Sequence, residues 1–244
     1  MRDEIIRFMH GENIIPLAEN EIGCLCREEI DEESLHHQIV RQGLPQRSIE
    51  ENSALYDIQQ SRNSKYQYRL AFLERMVDFV DEKSGNTELT IVEGGCATGI
   101  DLCFLAKHYA DTQHSFRGYD FQDAMRILAN ARKKRLGLGN IEFYASSHSR
   151  PVRREKRQAD ILFTNSAHIL EEESAKITQR NIEGITYRLK SNGYYILAGT
   201  PIQDITGVAR LAERKKVYHS GTEMIFKQNG IPVYMHFFQK SLNI

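Results

Sequence analysis

Residues 89–102, LTIVEGGCATGIDL, constrain the fold more than any other part of this chain. Residues 89–92 form a short apolar and β-branched run, which is typical of a buried strand in a parallel sheet. Three glycines follow, and helical spacing begins at Ile100: Gly94, Gly95 and Gly99. Glycines let the backbone turn tightly and approach a ligand closely. The stretch therefore predicts a strand, a turn and a helix, with a ligand at the carboxyl end of the strand.

The spacing of small residues in this turn narrows the class of ligand. A dinucleotide-binding turn needs the pattern G-x-G-x-x-G, and Cys96 or Ala97 stands where its second glycine would be. A phosphate-binding loop needs Gly-Lys-Ser/Thr, which the turn lacks. What remains is an acid followed by a small residue at every second position: Glu93, Gly95, Ala97 and Gly99.

This pattern resembles motif I of the class I S-adenosylmethionine (SAM) dependent methyltransferases, [D/E]-x-G-x-G-x-G, with Ala97 in place of the middle glycine. The resemblance covers residues 66–244. It implies an α/β fold with a doubly wound, mostly parallel, seven-stranded sheet and a C-terminal antiparallel hairpin. It also implies that SAM binds at the turn, through Glu93, Gly94, Gly95, Cys96 and Gly99. A glycine turn that joins a strand to a helix without any ligand is the alternative.

A second acid follows the next predicted strand, at residues 115–119. Asp120 stands at its end, and a helix is predicted over 122–135. A carboxylate there can accept both ribose hydroxyls of a nucleoside, and the side chain of Phe121 can lie against the adenine ring. GYDFQDAMRILANAR also resembles the second methyltransferase motif. The alternative is that Asp120 only caps the helix.

The third and fourth predicted strands, 140–145 and 159–164, end at further polar residues. In the family an aspartate at the end of the third strand accepts from the adenine amino group, and here this position falls on Ser146 or Ser147. We therefore expect adenine contacts from these serines. The basic stretch 150–157, RPVRREKR, could meet an anionic substrate, but a solvated loop is the favoured interpretation.

The resemblance places the residues after the fourth strand beside the transferable methyl group. Asn165 and Ser166 are therefore expected to contact the cofactor, and His168 is a candidate general base because its ordinary pKa suits proton removal. The segment resembles the family pattern H-V-L-E-H, but Glu172 replaces the second histidine. His168 could equally be a histidine on a helix without any chemical role. The predicted catalytic residues are His168, Asn165 and Tyr56.

Tyr56 belongs to a segment that, in the family, often folds over the cofactor. Its ring could attract the sulfonium cation, although ordinary packing is the favoured role for any one tyrosine there. Residues 1–65 as a whole are predicted to form a helical cap or extension. The alternative is a solvated or oligomerising segment, through which the chain would form a homodimer.

The C-terminal part predicts the remainder of the sheet. A helix over 171–190 leads through a turn at 191–193 into a strand at 194–198, and LKSNGYYILAG resembles a step that serves the fold in the family. A helical crossover over 202–216 follows. Two strands then flank Asn229-Gly230, a dipeptide typical of a tight hairpin turn.

Composition limits the partners and the compartment. The formal net charge is −1 and the isoelectric point is near 6.8, so nothing draws the chain generally to nucleic acid or to an anionic membrane. We find neither an apolar run of membrane-spanning length nor a secretory signal. The chain has four cysteines, Cys24, Cys26, Cys96 and Cys103, which suggest a reduced, cytoplasmic protein. Cys24 and Cys26 with two adjacent histidines lack zinc-site spacing, so no metal is expected.

The sequence thus predicts a SAM-dependent methyltransferase with a small-molecule acceptor. No N-P-P-Y motif follows the fourth strand, where Thr164-Asn165-Ser166-Ala167 stands instead, so methylation of nucleobases or of glutamine is disfavoured. Two alternatives stay open. One is an enzyme on the same fold that uses SAM without methyl transfer, by cyclisation or by transfer of the aminobutyrate arm. The other is a SAM-binding protein without catalysis. The sequence leaves the methylated atom undetermined.

Overall fold

A seven-stranded sheet organises the computed structural model, which describes residues 1–9, 64–85, 87–121, 123–149, 151, 153–165, 175–200, 205–228 and 230–241. The strand order is β3-β2-β1-β4-β5-β7-β6. The strands are β1 (Thr90–Gly94), β2 (Ser115–Asp120), β3 (Ile141–Ala145), β4 (Ala159–Asn165), β5 (Leu189–Thr200), β6 (Val217–Gln228) and β7 (Ile231–Lys240). β1 to β5 pair in parallel, and β7 lies antiparallel between β5 and β6. The predicted fold, with its C-terminal hairpin, is confirmed.

Helices cover both faces of this sheet. They are α1 (Arg2–Arg7), α2 (Ser64–Ser84), α3 (Ile100–His108), α4 (Asp123–Arg135), α5 (Ala175–Arg188) and α6 (Thr206–Glu213). Side chains of α1 to α4 build one apolar core, and those of α5 and α6 build the other. Ile91 belongs to the first core and Val92 to the second, because successive residues of a strand point to opposite faces. This two-sided burial explains why the middle of β1, Ile91 and Val92, is apolar.

The described helices include none that combines the length and the apolar composition needed to cross a membrane.

Three of the first nine residues belong to the core beside α3. Ile5, Phe8 and Met9 are buried, and the Phe8 ring packs edge-on against Phe104 with centroids 5.4 Å apart. Outside the core, Glu4 Oε2 lies 2.9 Å from His108 Nδ1. Residues 10–63 lie outside the described residues, so the predicted cap over 1–65 and its boundary stay predictions.

The predicted turn at 191–193 lies inside β5, as an irregularity in its pairing with β4. Ala159 pairs with Leu189, but Ile161 pairs with Tyr194, so the intervening residues of β5 bulge out of register. Asn192 has a φ of +64°, a left-handed conformation that asparagine tolerates better than most residues. The turn signal was thus real, but the strand begins at Leu189 rather than at residue 194.

Close packing between β2, β3 and α3 depends on two glycines. A Cβ atom at Gly118 would lie 2.5 Å from Phe143 Cδ1, and one at Gly99 would lie 2.7 Å from Phe143 Cε1. The Phe143 ring therefore occupies the space that two side chains would need. This packing holds the start of α3 close to the sheet.

The turn between β1 and α3 contains three residues in the left-handed region. Their φ angles are +68° at Gly95, +45° at Ala97 and +73° at Gly99. Glycine adopts such angles without a steric penalty, whereas the Cβ of alanine approaches the backbone carbonyl. Ala97 therefore stores strain in the turn.

We predict that Gly118→Ala lowers the free energy of unfolding by about 1–3 kcal/mol, because the new methyl group overpacks against Phe143. Urea denaturation of purified variants measures this loss. Gly139→Ala is the control, since a Cβ there meets nothing within 4 Å, and its effect should stay within about 0.5 kcal/mol. Equal effects of both substitutions would contradict the packing account.

We predict that Ala97→Gly raises the free energy of unfolding, in contrast to Gly118→Ala. Relief of the left-handed strain exceeds the added entropy of the unfolded chain, so stability should rise by about 0.5–1 kcal/mol. The matched control is Ala131→Gly on the exposed face of α4, which should cost about 1 kcal/mol. Both are measured by thermal and urea unfolding, and destabilisation by Ala97→Gly would show that the turn is not strained at this residue.

Candidate functional site

The turn after β1 is fastened to the end of β2. The backbone N–H groups of Gly95 and Cys96 both donate to the carbonyl oxygen of Tyr119, at 2.8 and 3.1 Å. The next N–H group, that of Ala97, donates to Asp120 Oδ2 at 3.0 Å. Three consecutive amides thus face the end of one strand. The two motifs recognised in the sequence are joined by direct hydrogen bonds.

A buried arginine supports the same turn from α4. The side chain of Arg132 is fully buried, and its Nη1 donates to the carbonyl oxygen of Thr98. Within the turn, Gly99 N donates to Cys96 O at 2.7 Å. The path of the turn is therefore fixed from β2, from α4 and by its own backbone.

A small pocket, partly open to solvent, lies beside this turn. It lies where β1 and β4 end, at the carboxyl edge of the sheet, which is the usual ligand position in open α/β sheets. It is lined by Arg69, Glu93, Gly95, Cys96, Ala97, Thr98, Ile100, Asp101 and Asn165.

A chain of polar side chains forms one wall of the pocket. Arg69 Nε on α2 lies 2.6 Å from Asp101 Oδ1 on α3. Asn165 Nδ2, at the end of β4, donates to Asp101 Oδ2 at 2.7 Å, and the hydroxyl of Tyr68 donates to Asn165 Oδ1. Asp101 therefore connects two helices and a strand, and its charge is matched by the Arg69 guanidinium.

Glu93 is the second carboxyl group of the pocket, and its surroundings differ from those of Asp101. Its side chain is 3% exposed, and Oε2 has no hydrogen-bond partner within the described structure. Burial raises the pKa of the Glu93 carboxyl group well above its ordinary value, and the nearby Asp101 carboxylate raises it further. The Arg69 guanidinium and the backbone N–H of Leu102 act in the other direction but do not reverse the shift. Glu93 therefore holds its proton to a higher pH than a glutamate in water does.

The predicted cofactor contacts divide into two groups around the turn. Glu93, Gly95, Cys96 and Asn165 line the pocket. Gly94 and Gly99 make room for protein instead: a Cβ at Gly94 would lie 2.5 Å from the hydroxyl of Tyr119, and the space beside Gly99 holds Phe143. Contact of these two glycines with a cofactor stays a prediction.

Asp120 and Phe121 follow each other at the end of β2. Asp120 is buried and bound to the turn, as described above. A carboxylate has about four acceptor positions, so the bond from Ala97 leaves capacity for further donors. Phe121 is 73% exposed, which is unusual for a phenylalanine and leaves its ring accessible to a ligand.

Ser146 and Ser147 are held by an arginine that sequence analysis did not consider. Arg188 Nη2 donates to Ser146 Oγ at 3.1 Å and to the carbonyl oxygen of Ser147 at 2.8 Å. Arg188 also pairs with Glu155 at 2.6 Å and lies 4.0 Å from the centre of the Tyr119 ring. Adenine contacts from the two serines stay a prediction, but the turn that carries them is fixed by the protein.

His148 lies in the same turn and is uncharged at neutral pH. Burial lowers its pKa to about 4, and the positive charge of Arg188 contributes to the shift. Its Nδ1 lies 3.2 Å from the hydroxyl of Tyr119. A neutral histidine can share this space with the arginine without repulsion between like charges.

Three predicted residues, Tyr56, Ser166 and His168, lie outside the described residues, so their roles stay predictions. Two charged residues of the pocket were missed: Arg69 and Asp101. Their signal was weak, since an arginine on the polar side of a helix and an acid in the first turn of the next helix are both ordinary surface features. Across the described ranges, no three side chains of metal-ligating type cluster together.

The chain is similar to known proteins in its structure. No protein-family model matches the sequence, and no curated protein sequence matches it. The structure is similar to a SAM-dependent methyltransferase from Aquifex aeolicus, with 16% sequence identity, a TM-score of 0.55, and coverage of 70% of this chain and 92% of that chain.

Two further solved structures with the same fold belong to proteins with different names and activities. The [4+2]-cyclase SpnF is 11% identical, with a TM-score of 0.56 and coverage of 70% of this chain and 81% of that chain. A variant of a 16S rRNA adenine methyltransferase from Catenulisporales acidiphilia is 11% identical, with a TM-score of 0.52 and coverage of 68% and 91%. The chain therefore has the fold of the class I SAM-dependent methyltransferases.

Proposed function

We propose that the chain is a SAM-dependent methyltransferase that acts on a small-molecule acceptor. The observation that carries the proposal is the pocket itself. It is formed by the strained turn after β1, which is hydrogen-bonded to Asp120. It also contains a buried Glu93 oxygen that has no hydrogen-bond partner among the described residues. A buried acceptor without a partner is costly unless a ligand or water satisfies it.

The residues present fit SAM in three places. Asp120 would accept from the ribose hydroxyls, since it stands at the end of the second strand, beside the turn that lines the pocket. The exposed ring of Phe121 would cover the adenine. Glu93 and Asn165, which line the pocket, would face the methionine arm, and Glu93 supplies an acceptor for a cationic group there.

Catalysis by this chain would be mainly positional. SAM, when bound, supplies a methyl group on a sulfonium that is already a strong electrophile. The protein would hold the acceptor in line with that group and exclude water from the pocket. Asp101 keeps α2, α3 and β4 together at the pocket wall, so it would fix the shape of the site rather than take part in the reaction.

The net charge of the chain favours a small-molecule acceptor over nucleic acid. The chain has a net charge of −1, whereas proteins that bind nucleic acid are generally basic over the contact surface. A 16S rRNA methyltransferase is nevertheless among the structures with this fold, so RNA belongs in the test.

One observation favours a second candidate function. The [4+2]-cyclase shows that this fold also occurs in an enzyme named for ring formation. An enzyme that uses SAM without methyl transfer is therefore the second candidate. Fold alone does not decide between the two, because function depends on the site.

Product analysis separates these functions. The purified protein is incubated with SAM in a series of separate reactions. Each reaction contains either one acceptor from a panel of small thiols, amines, phenols and carboxylic acids, or unmodified ribosomal RNA. Mass spectrometry then follows S-adenosylhomocysteine and methylthioadenosine. Acceptor-dependent S-adenosylhomocysteine with a small molecule supports the proposal, and its formation only with RNA contradicts the acceptor class. Methylthioadenosine indicates loss of the amino acid arm and supports the second candidate.

We predict that Asp120→Ala weakens SAM binding by about tenfold to a hundredfold, since hydrogen bonds to a charged acceptor contribute about 1.5–3 kcal/mol. Isothermal titration calorimetry measures this change. The matched control is Asp111→Ala, which removes an exposed carboxylate from the turn after α3 and should leave affinity unchanged.

Because Asp120 also holds the turn, Asp120→Asn provides a second comparison. Its amide oxygen can still accept from Ala97 N, so this variant separates loss of charge from loss of the turn. Unchanged SAM affinity in Asp120→Ala would contradict the assignment of Asp120 to the ribose.

A further inference from the structure

Among the described residues that line the pocket, there is one cationic side chain for two carboxyl groups. Asp101 engages the Arg69 guanidinium and also accepts from Asn165. Glu93 lines the same pocket, and its Oε2 has no hydrogen-bond partner in the described part of the chain. The charge of Arg69 is therefore matched by Asp101, and a charged Glu93 would have no cation of its own among the described residues.

The charged and polar groups around Glu93 come from every element that packs there. They are Arg69 on α2, Asp101 and the Leu102 N–H on α3, Asp120 on β2, Cys96 in the turn and Asn165 on β4. Two of these are further acids, which repel a negative charge on Glu93. The Asn165 amide already bonds to Asp101 and Tyr68. The surroundings thus favour a neutral Glu93 until another positive charge arrives.

We infer that Glu93 carries a proton while the pocket is empty and releases it to solvent when the cationic methionine arm of SAM enters. The inference rests on the proposed function and extends it. The proton balance is simple. The O–H bond of Glu93 breaks, the proton passes to buffer, and the carboxylate pairs with the ligand's positive charge; no electron transfer is involved.

The raised pKa of Glu93 in the chain without a ligand supports the first half of this inference. The linkage between proton release and binding then predicts how SAM affinity depends on pH. Because the complex binds one proton fewer than the separate partners, SAM affinity should rise with pH, by up to about tenfold per pH unit while Glu93 is protonated in the free protein. A nucleoside without a cationic arm should not show this dependence.

Calorimetric titration in two buffers measures the released proton. The full chain is titrated with SAM at about pH 6.5, in phosphate and in imidazole, which differ in ionisation enthalpy. At this pH the α-amino group of SAM is protonated, since its ordinary pKa is about 7.7–8.0. We expect proton release with SAM and none with methylthioadenosine, which has a neutral thioether in place of the arm.

Two variants test the assignment to Glu93. Glu93→Gln keeps the shape of the side chain but has no ionisable proton, so it should abolish the release. Glu88→Gln removes an exposed carboxyl group just before β1 and should leave the release unchanged. Proton release that persists in Glu93→Gln would overturn the inference.

The outcomes separate failure of this inference from failure of the proposed function. SAM binding to the wild-type chain without proton release, or with equal release for methylthioadenosine, overturns the inference and leaves the proposed function standing. Absence of SAM binding overturns both. If Glu93→Gln does not fold, the wild-type comparison of the two ligands still decides the question.

Discussion

The hydrogen bonds between the turn after β1 and the end of β2 are the constraint on which the site depends. Ala97 N donates to the Asp120 carboxylate, and the two preceding amides donate to Tyr119 O. These bonds hold Ala97 in a left-handed conformation that alanine does not favour. They also set the distance between a nucleoside-binding carboxylate and a side-chain-poor turn. Strain in the turn is thus balanced by bonds that position the proposed ligand site.

Buried ionisable side chains have different sets of partners on the two faces of the sheet. Near the pocket, Asp101 is paired with Arg69, whereas Glu93 Oε2 has no hydrogen-bond partner among the residues that the structure describes. On the other face, Arg188 has an acidic partner in Glu155 and several carbonyl acceptors, and it lies over an aromatic ring. Buried ions persist when they are paired and hydrogen-bonded, so Arg188 is a structural charge. A carboxyl group left without such partners at a pocket is more typical of a functional site.

The sequence predicted the architecture well because its signals are local. Apolar runs mark the strands, glycines mark the turn, and Asn229-Gly230 marks the hairpin. Asp120 was found because it follows a strand directly. Arg69 and Asp101 were not found, since their pairing depends on how α2 packs beside α3, and neither residue stands in a recognisable pattern. Arg188 was missed for the same reason: apart from the Gly184 carbonyl, the partners described above lie more than thirty residues away in the chain.

A crystal structure of the chain with S-adenosylhomocysteine tests the central claim most directly. The account predicts that the ribose hydroxyls lie within hydrogen-bond distance of the Asp120 carboxylate and that the amino acid arm enters the pocket beside Glu93. It also predicts that the bond from Ala97 N to Asp120 persists in the complex. A ligand bound elsewhere, or bound at this edge with Asp120 turned away from the ribose, would contradict it.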